Sequence, residues 1–366
     1  MRVSTTAIVM SNRGAIGFGG FLLGLGVGYL ILREISLTTN SVAWVLIIIG
    51  GALVASTLIR WMSPGLELHR IVGGMAGGLV VALILTQGFN FFTGIRNFNL
   101  PYSTTEHKTY TGAAPQNSIY LRVGSMNGQI TLTTWNKNEY SIEATITARG
   151  TSQKEADDNL AKLGKELVKE STISLQRLTL VYDSPIMINN PYQISLEVKM
   201  PANAKLDLDL TTSNGAVTIN NVDGGNVVVH TSNGALRLTN VKADTLRGST
   251  SNGPVTGNVD SVTCTLSTSN GPITIQIPST RSGAYTLSTS NGNADVTVSA
   301  AGEYRLEGAT SNADVTFSIP NLTYSRDTKT SKAAQTTGYD SAQTKISVNI
   351  QTSNGAITVR RNASSI

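Results

Sequence analysis

The sequence predicts an all-β fold, a β-solenoid (β-helix-like) ectodomain with a small α+β cap, preceded by three transmembrane α-helices. Three observations support this prediction. Long uncharged apolar runs are concentrated before residue 95, a Ser-Asn-Gly tripeptide recurs every 18 to 21 residues, and apolar residues alternate with polar ones on both sides of it. Charged residues make up only 14% of the chain and the net charge of +5 is diffuse, so we expect no nucleic-acid partner.

Residues 1–95 are interpreted as a membrane anchor. The predicted spans are residues 15–32, 42–59 and 71–92, each with at least 18 residues and no charge. A bilayer core of about 30 Å is crossed by about 20 apolar residues of helix, so each run is long enough to span it. Trp44 and Trp61 bracket the second run as interface anchors. A signal peptide is the alternative for the first run, but that run lacks a small-residue cleavage site.

Glycines form four-residue stripes in the first and third runs, where small residues let helices approach closely. These helix-packing glycines are Gly20, Gly24 and Gly28, and Gly73 and Gly77. We expect the stripes to pack against each other, a second copy or a membrane partner. Basic residues near the spans give a weak bias that places the N-terminus in the cytoplasm. The expected localisation is therefore the cell membrane, multi-pass, with the bilayer as a partner and the C-terminal domain extracellular.

The segment between the anchor and the repeats is divided into a linker and a cap. Residues 96–117, rich in Thr, Pro and Gly, are interpreted as the linker. Residues 118–203 are interpreted as an N-terminal cap subdomain with one helix at about 152–170, because the leucines there fall on one helical face. A solenoid needs such a cap, since an exposed edge strand pairs with other chains.

Residues 204–361 are predicted to form the solenoid, with a polar insertion at about 325–345. Its corner asparagines are Asn127 in an early copy, then Asn214, Asn233, Asn252, Asn270, Asn291, Asn312 and Asn354. Apolar residues alternate before and after each corner, which predicts two short strands joined by a sharp bend. We expect glycine to supply a positive φ at that bend and asparagine to tolerate it.

A unit of about 20 residues buries its apolar face only by stacking on another unit. Stacked coils lie about 4.8 Å apart, so each threonine should lie over a threonine and each asparagine over an asparagine. Side-chain hydroxyls and amides would then bond from one coil to the next. A meander of β-hairpins is the alternative, because it also has Asn-Gly turns, but it does not require a fixed period.

The order of these features resembles a known family. An early Asn-Gly motif at Asn127 is followed by Trp135, alternating strands, a helix, Val-Lys-Met-Pro at residues 198–201 and then the regular Asn-Gly repeats. Over about residues 118–361, this order resembles the putative-adhesin family of bacterial and archaeal surface domains of unknown function. The resemblance implies a β-solenoid ectodomain, often joined to membrane helices, and no established reaction or ligand.

The residues give no sign of enzyme chemistry. The only cysteine, Cys264, occupies an inward position, and His230 is predicted to face solvent. Among the acids of the repeats, Asp207 and Asp209 share a strand face, and the others stand at varied offsets from the corners; all are interpreted as solvated charge. We therefore predict no catalytic, cofactor-binding or metal-ligating residues and no cofactor.

Two functions fit the sequence. The first is a membrane-anchored cell-surface protein that presents a non-enzymatic solenoid for adhesion or envelope structure, with a surface glycan or protein as ligand. The alternative is a membrane-bound sensor or regulator of envelope stress that acts through a membrane partner protein.

Overall fold

The computed structural model describes residues 18–27, 29, 51, 54, 68–87, 100–115, 117–163, 167–172, 175–182, 190–278 and 280–362. The chain divides into two compact units, Met1–Leu100 and Pro101–Ile366. Each unit is described separately.

In the first unit, residues 18–27 are helical and helix α1 spans Leu68–Gln87. The two helices touch at glycines: a β-carbon added at Gly20 would lie 2.5 Å from the carbonyl oxygen of Ile71, and one at Gly24 only 2.1 Å from that of Met75. Any larger side chain at these positions would therefore force the backbones apart. Gly73 and Gly77 lie on α1, whereas Gly28 lies outside the described residues.

The prediction of three transmembrane helices is wrong. Among the described residues, no helix combines the length and the apolar composition that crossing a bilayer requires. This finding also overturns the predicted multi-pass membrane localisation. The predicted spans were chosen because they lack charged residues. Helix α1, however, includes four glycines, which contribute almost no apolar surface. Most of the second predicted span, 42–59, lies outside the described residues, as do Trp44 and Trp61.

The second unit is built of β-strands, and its described residues include one α-helix, α2 (Gln153–Lys162). The strands are β1 (Tyr102–Ala113), β2 (Ser118–Gly124), β3 (Asn127–Trp135), β4 (Glu139–Gly150), β5 (Val168–Ser171), β6 (Gln176–Val181), β7 (Tyr192–Pro201), β8 (Lys205–Thr212), β9 (Val217–Asn220), β10 (Asp223–Thr231), β11 (Leu236–Thr250), β12 (Val255–Thr268), β13 (Ile273–Ile277), β14 (Gly283–Thr289), β15 (Ala294–Val298), β16 (Glu303–Ala309), β17 (Val315–Ser318), β18 (Leu322–Asp327), β19 (Ser331–Thr336), β20 (Lys345–Thr352) and β21 (Ile357–Arg361). A short 3₁₀ helix spans Tyr339–Ser341.

The strands form two parallel ladders that meet at the corners. Strands before the corners make the leading ladder, in the order β6–β2–β8–β10–β11–β12–β14–β20–β16. Strands after the corners make the trailing ladder, in the order β7–β3–β9–β11–β12–β13–β15–β21–β17. The long strands β11 and β12 run through both ladders. One leading strand, its corner and the following trailing strand are called a coil.

Equivalent residues stack in register along each ladder. Leu208 lies beside Val227, Val227 beside Leu246, and Leu246 beside Cys264. These side chains are buried between the two ladders together with their trailing counterparts, such as Val217. The alternation read from the sequence therefore corresponds to one continuous core along the stack.

The order of coils in space departs from the order in sequence at both ends. The coil β2–β3 lies between β6–β7 and β8–β9, which follow each other in the chain. The coil β20–β21 likewise lies between β14–β15 and β16–β17. Near each end, two coils that are consecutive in the chain are thus separated by one level. An earlier segment, β2–β3, fills this level near the first end, and a later segment, β20–β21, fills it near the other.

Antiparallel strands finish the stack. At one end, β7 pairs with β4, and β4 pairs with β1 along all 12 residues of β1. Strand β1 falls within the predicted linker, but its many β-branched threonines favour a strand and β4 supplies a partner. At the other end, β16 pairs with β19, and β19 pairs with β18. The polar insertion thus includes part of a terminal hairpin.

Candidate functional site

The corner asparagines form one continuous row of side-chain hydrogen bonds, the asparagine ladder. In each bond, Nδ2 of one residue donates to Oδ1 of its neighbour; Asn252 Nδ2 lies 2.6 Å from Asn233 Oδ1, for example. In stacking order the ladder is Asn127, Asn214, Asn233, Asn252, Asn270, Asn291, Asn354 and Asn312. The structure thus brings together all eight predicted corner residues, with the last two in reversed order.

A buried threonine two residues before each repeat asparagine ties neighbouring corners together. Thr250 Oγ1 donates to the carbonyl oxygen of Gly234 in the adjacent coil at 2.9 Å and accepts from the amide of Gly253 in its own coil at 3.1 Å. The same donor bond recurs at other levels, as from Thr231 to Gly215 at 2.9 Å. Because these buried backbone groups are satisfied, each corner is held rigidly on the next.

The corner glycines have a role that differs from the expected one. None of them has a positive φ, and Asn127 is the only corner asparagine that does, with φ 53°. Glycine is needed instead because the coils approach closely: a β-carbon at Gly234 would lie 1.7 Å from the carbonyl oxygen of Gly215. The repeat therefore selects glycine for contact between backbones rather than for the shape of the bend.

The outward face of the trailing ladder carries a second regular array, the threonine row. The row runs from β3 to β17 and consists of Thr131, Thr218, Thr256, Thr274, Thr358 and Thr316, with Arg237 and Asp295 at the two remaining levels. One level beyond Thr131, β7 places the acidic Glu197 in the same line. At about 4.8 Å per level, eight levels extend over about 34 Å. Sequence reasoning did not identify this row, although each member stands four residues after a corner asparagine.

The outward face of the leading ladder is less uniform. From β2 to β16, its central row contains Arg122, Asp209, Val228, Arg247, Thr265, Thr286, Asn349 and Glu307 in stacking order, and Thr179 of β6 lies one level beyond Arg122. Four of these eight residues are charged, and Arg122 Nε lies 3.5 Å from Asp209 Oδ2. Threonines occupy six of the eight levels of the trailing row, as three adjacent pairs separated by Arg237 and Asp295, whereas the leading central row contains one such pair, Thr265 and Thr286.

Charged residues near the starts of the leading strands link coils to each other. Arg281 Nε lies 3.1 Å from Asp260 Oδ1, and its Nη2 donates to the Asp260 carbonyl oxygen at 2.7 Å. Asp244 accepts from Lys205 and lies 3.5 Å from Arg281. The hydrogen bond from Lys205 holds the pKa of Asp244 below its ordinary value. These contacts span several levels of the stack and occupy the carboxylates that they involve.

Cys264, His230 and Asp207, which have reactive or titratable groups, are either buried or already hydrogen-bonded. Burial raises the pKa of the Cys264 thiol, which keeps it protonated. His230 is exposed, as predicted, and its Nδ1 lies 2.9 Å from Ser249 Oγ. Asp207 Oδ1 accepts from the Asn226 amide at 2.7 Å. Within the described parts of the chain, no group of three or more His, Cys, Asp and Glu side chains could hold a metal ion.

One cavity of about 350 Å³ lies at the N-terminal end of the stack. Its lining includes Ser125, Met126, Tyr182 and Asn190. The Asn190 amide lies 3.3 Å from the sulfur of Met126, and Ser125 Oγ donates to the Ile194 carbonyl oxygen. The cavity lies where β6–β7 is placed outside β2–β3, an arrangement that the repeat period does not reveal.

A family model described as Toastrack DUF4097 matches residues 120–360. The search of curated proteins found no match. Similar solved structures include a putative cell adhesion protein of Clostridium sporogenes ATCC 15579, 10% identical over 71% of this chain and 100% of that chain, with a TM-score of 0.36. A putative adhesin of Bacteroides fragilis NCTC 9343 is 12% identical over 69% of this chain and 97% of that chain, with a TM-score of 0.32. A putative adhesin of Parabacteroides distasonis ATCC 8503 is 13% identical over 71% and 97%, with a TM-score of 0.27.

Proposed function

This chain belongs to the Toastrack DUF4097 family, and from that premise we propose that its second unit is a non-enzymatic adhesion domain for hydroxyl-rich ligands such as neutral polysaccharides. The threonine row is the observation that carries this proposal. Six of its eight levels present the same neutral side chain on one face of the stack.

A regular hydroxyl array suits a ligand that is itself a repeating polymer of hydroxyl groups. One hydrogen bond contributes only about 1 kcal/mol net, so a single threonine binds weakly. Several bonds along about 34 Å add up when one polymer contacts many levels at once. The corner bonds fix the coils in advance, which lowers the ordering cost of such an extended contact.

The charge distribution favours the trailing face over the leading face as the binding surface. Arg237 and Asp295 are the two charged members of the threonine row, and they have opposite signs. The central row of the leading face has four charged residues: Arg122 and Asp209, which pair with each other at one end, Arg247 within the row, and Glu307 at the other end. A neutral ligand gains nothing from these charges and would have to desolvate them.

The non-enzymatic part of the proposal is supported by acids that already have hydrogen-bond or ion-pair partners. Asp207, Asp209 and Asp244 each accept a hydrogen bond or lie in an ion pair, and they are distributed over the stack. The alternative of a membrane-bound sensor depended on the transmembrane helices and is withdrawn with them.

Binding of the full-length chain to a panel of immobilised neutral polysaccharides tests the proposal. The informative variant is T256V/T274V, because valine keeps the shape and strand preference of threonine but removes two adjacent hydroxyls of the row. Its matched control is T265V/T286V, which removes two adjacent hydroxyls from the leading face. We expect T256V/T274V to bind roughly 30-fold more weakly, from two lost bonds of about 1 kcal/mol each, and the control to bind as the wild type does.

Equal losses in the two variants, or no loss in either, would overturn the assignment of the threonine row. A wild-type chain that captures purified proteins but retains no polysaccharide would contradict the ligand class. Thermal melting of each variant shows whether a loss of polysaccharide binding reflects unfolding. The comparison of T256V/T274V with T265V/T286V is made between folded variants.

A further inference from the structure

Strand β1 is, in the described part of the chain, the last strand of the sheet that continues from the trailing ladder through β7 and β4. Strand β1 pairs with β4 from Tyr102 to Ala113. In the part of the chain that the structure describes, no strand pairs with its other side. The side chains at Thr105, His107 and Thr109 are exposed. A strand edge of this length is a template for another strand.

The hydrogen-bond pattern shows which backbone groups face this edge. Just beyond β1, the Ala114 amide donates to the Asn138 carbonyl oxygen at 2.9 Å, in the same register that pairs Gly112 with Tyr140. Opposite residues alternate between bonded and non-bonded pairs in an antiparallel ladder. The even-numbered residues of β1 therefore bond to β4, and the odd-numbered ones, His107 among them, direct their amide and carbonyl groups outward.

The charges on β1 are complementary to those of a second, antiparallel copy of the strand. Glu106 and Lys108 flank His107, and their charged groups lie 3.5 Å apart on one side of the strand. If two copies pair antiparallel with His107 on the two-fold axis, Glu106 of each copy lies opposite Lys108 of the other. Centring the pair on Glu106 or Lys108 instead would place like charges directly opposite, which is destabilising.

We propose that two copies of this chain associate through β1, antiparallel and about a two-fold axis at His107. In this register Thr105 of one copy lies opposite Thr109 of the other, a favourable cross-strand pair. Outward-facing odd residues meet outward-facing odd residues, so the unpaired backbone groups of the two edges bond to each other. The interface is isologous, and the dimer closes without leaving a second free β1 edge.

Charge reversal in the full-length chain tests the register. E106K and K108E each place like charges opposite one another twice across the axis, and we expect the dimer to dissociate at roughly tenfold higher concentration or more. The double variant E106K/K108E restores opposite charges at both positions and should dimerise as the wild type does. Sedimentation velocity over a concentration series measures the equilibrium, and melting curves confirm folding. A wild-type chain that stays monomeric, or a folded double variant that stays monomeric, would overturn the proposal.

Cysteine cross-linking distinguishes β1 from any other self-associating surface. Opposite residues of a bonded antiparallel pair have Cα atoms about 5.5 Å apart, which suits a disulfide. H107C lies on the axis and should form a disulfide with its own copy under mild oxidation. S103C should not, because its opposite residue in this register is Thr111. The native Cys264 is buried and does not interfere. A dimer in which H107C fails to cross-link, or S103C cross-links equally well, would place the interface elsewhere.

Discussion

The middle of the solenoid and its two ends are built in different ways. In the middle, the coils with corners at Asn233, Asn252 and Asn270 follow one another in space as they do in sequence, and each forms the same bonds with its neighbour. At the ends, the coils of Asn127 and Asn354 are inserted between coils that are consecutive in the chain. The repeated residues thus determine how one coil lies on the next, whereas the inserted levels near each end are filled by segments that are not neighbours in the chain.

The largest difference between middle and end should come from a corner glycine. In G234A the new β-carbon would lie 1.7 Å from the Gly215 carbonyl oxygen, and neither backbone can move without disturbing the stack. We expect a loss of at least about 3 kcal/mol in the free energy of unfolding. Urea denaturation followed by circular dichroism measures it.

The matched control is G338A, near the C-terminal hairpin. There the new β-carbon would lie 2.8 Å from the end of the flexible Glu303 side chain, and φ at Gly338 is −86°, which alanine adopts easily. A loss below about 1 kcal/mol is expected. Equal losses in G234A and G338A would contradict the close-approach explanation.

A smaller difference is expected from the buried threonines. T250V removes both the donor to the Gly234 carbonyl and the acceptor for the Gly253 amide, so two buried backbone groups lose their bonds at a cost of about 2 to 3 kcal/mol. Thr310, in the outermost coil, donates to the Gly355 carbonyl at 3.0 Å and is followed by Ala313 rather than a corner glycine. T310V should cost about 1 kcal/mol in the same denaturation experiment. A T310V loss as large as that of T250V would count against this account.

The asparagine ladder should give a still smaller difference. Asn252 bonds to a neighbour on each side, while Asn312 is the last member and bonds to Asn354 alone. Because these side chains are exposed, N252A should cost about 1 kcal/mol and N312A about half of that. Differential scanning calorimetry resolves the two, and an N312A effect equal to that of N252A would show that the ladder bonds do not set the cost.

The weakest effect is expected from the ion pair between Lys205, in the coil of Asn214, and Asp244, in the coil of Asn252. The Lys205 hydrogen bond lowers the pKa of Asp244 below 3.8, so its contribution to stability is present at neutral pH and is lost as the pH falls through the lowered pKa. K205M should raise this pKa toward its ordinary value. An NMR titration of the Asp244 carboxyl group measures the change, and an unshifted titration would show that the ion pair does not form in solution. High salt should reduce the difference, because the pair lies at the surface.

The periodic part of the fold was predictable because its physics is local and repeated. The corner positions and the inward rows follow from residue spacing, and the family match over residues 120–360 confirms the resemblance seen in the sequence. The function of the corner glycines was not predictable, because a close approach between coils depends on residues about 20 positions away. The threonine row was visible at a fixed offset from each asparagine but stands out only when the strands are placed side by side.

The terminal arrangements could not be read from the period. The sequence predicted a polar insertion between Asn312 and Asn354, but it did not reveal that the coil of Asn354 lies before the coil of Asn312 in the stack. Strand β1 lacks alternating apolar residues, so its pairing with β4 left no pattern to detect. The error on the transmembrane helices arose because a window without charges was equated with an apolar helix, although four of the 20 residues of α1 are glycines.

The inserted coil β20–β21 has a consequence for biosynthesis. A solenoid whose coils stack in sequence order can add each coil as the ribosome releases it. In this chain, the level between β14–β15 and β16–β17 stays unfilled until residues 345–361 have been made. A nascent chain that stalls before that point exposes unpaired edges of β14, β15, β16 and β17, where chaperones and proteases act. Completion of translation, rather than steady growth, would then be the step that commits the molecule to its folded state.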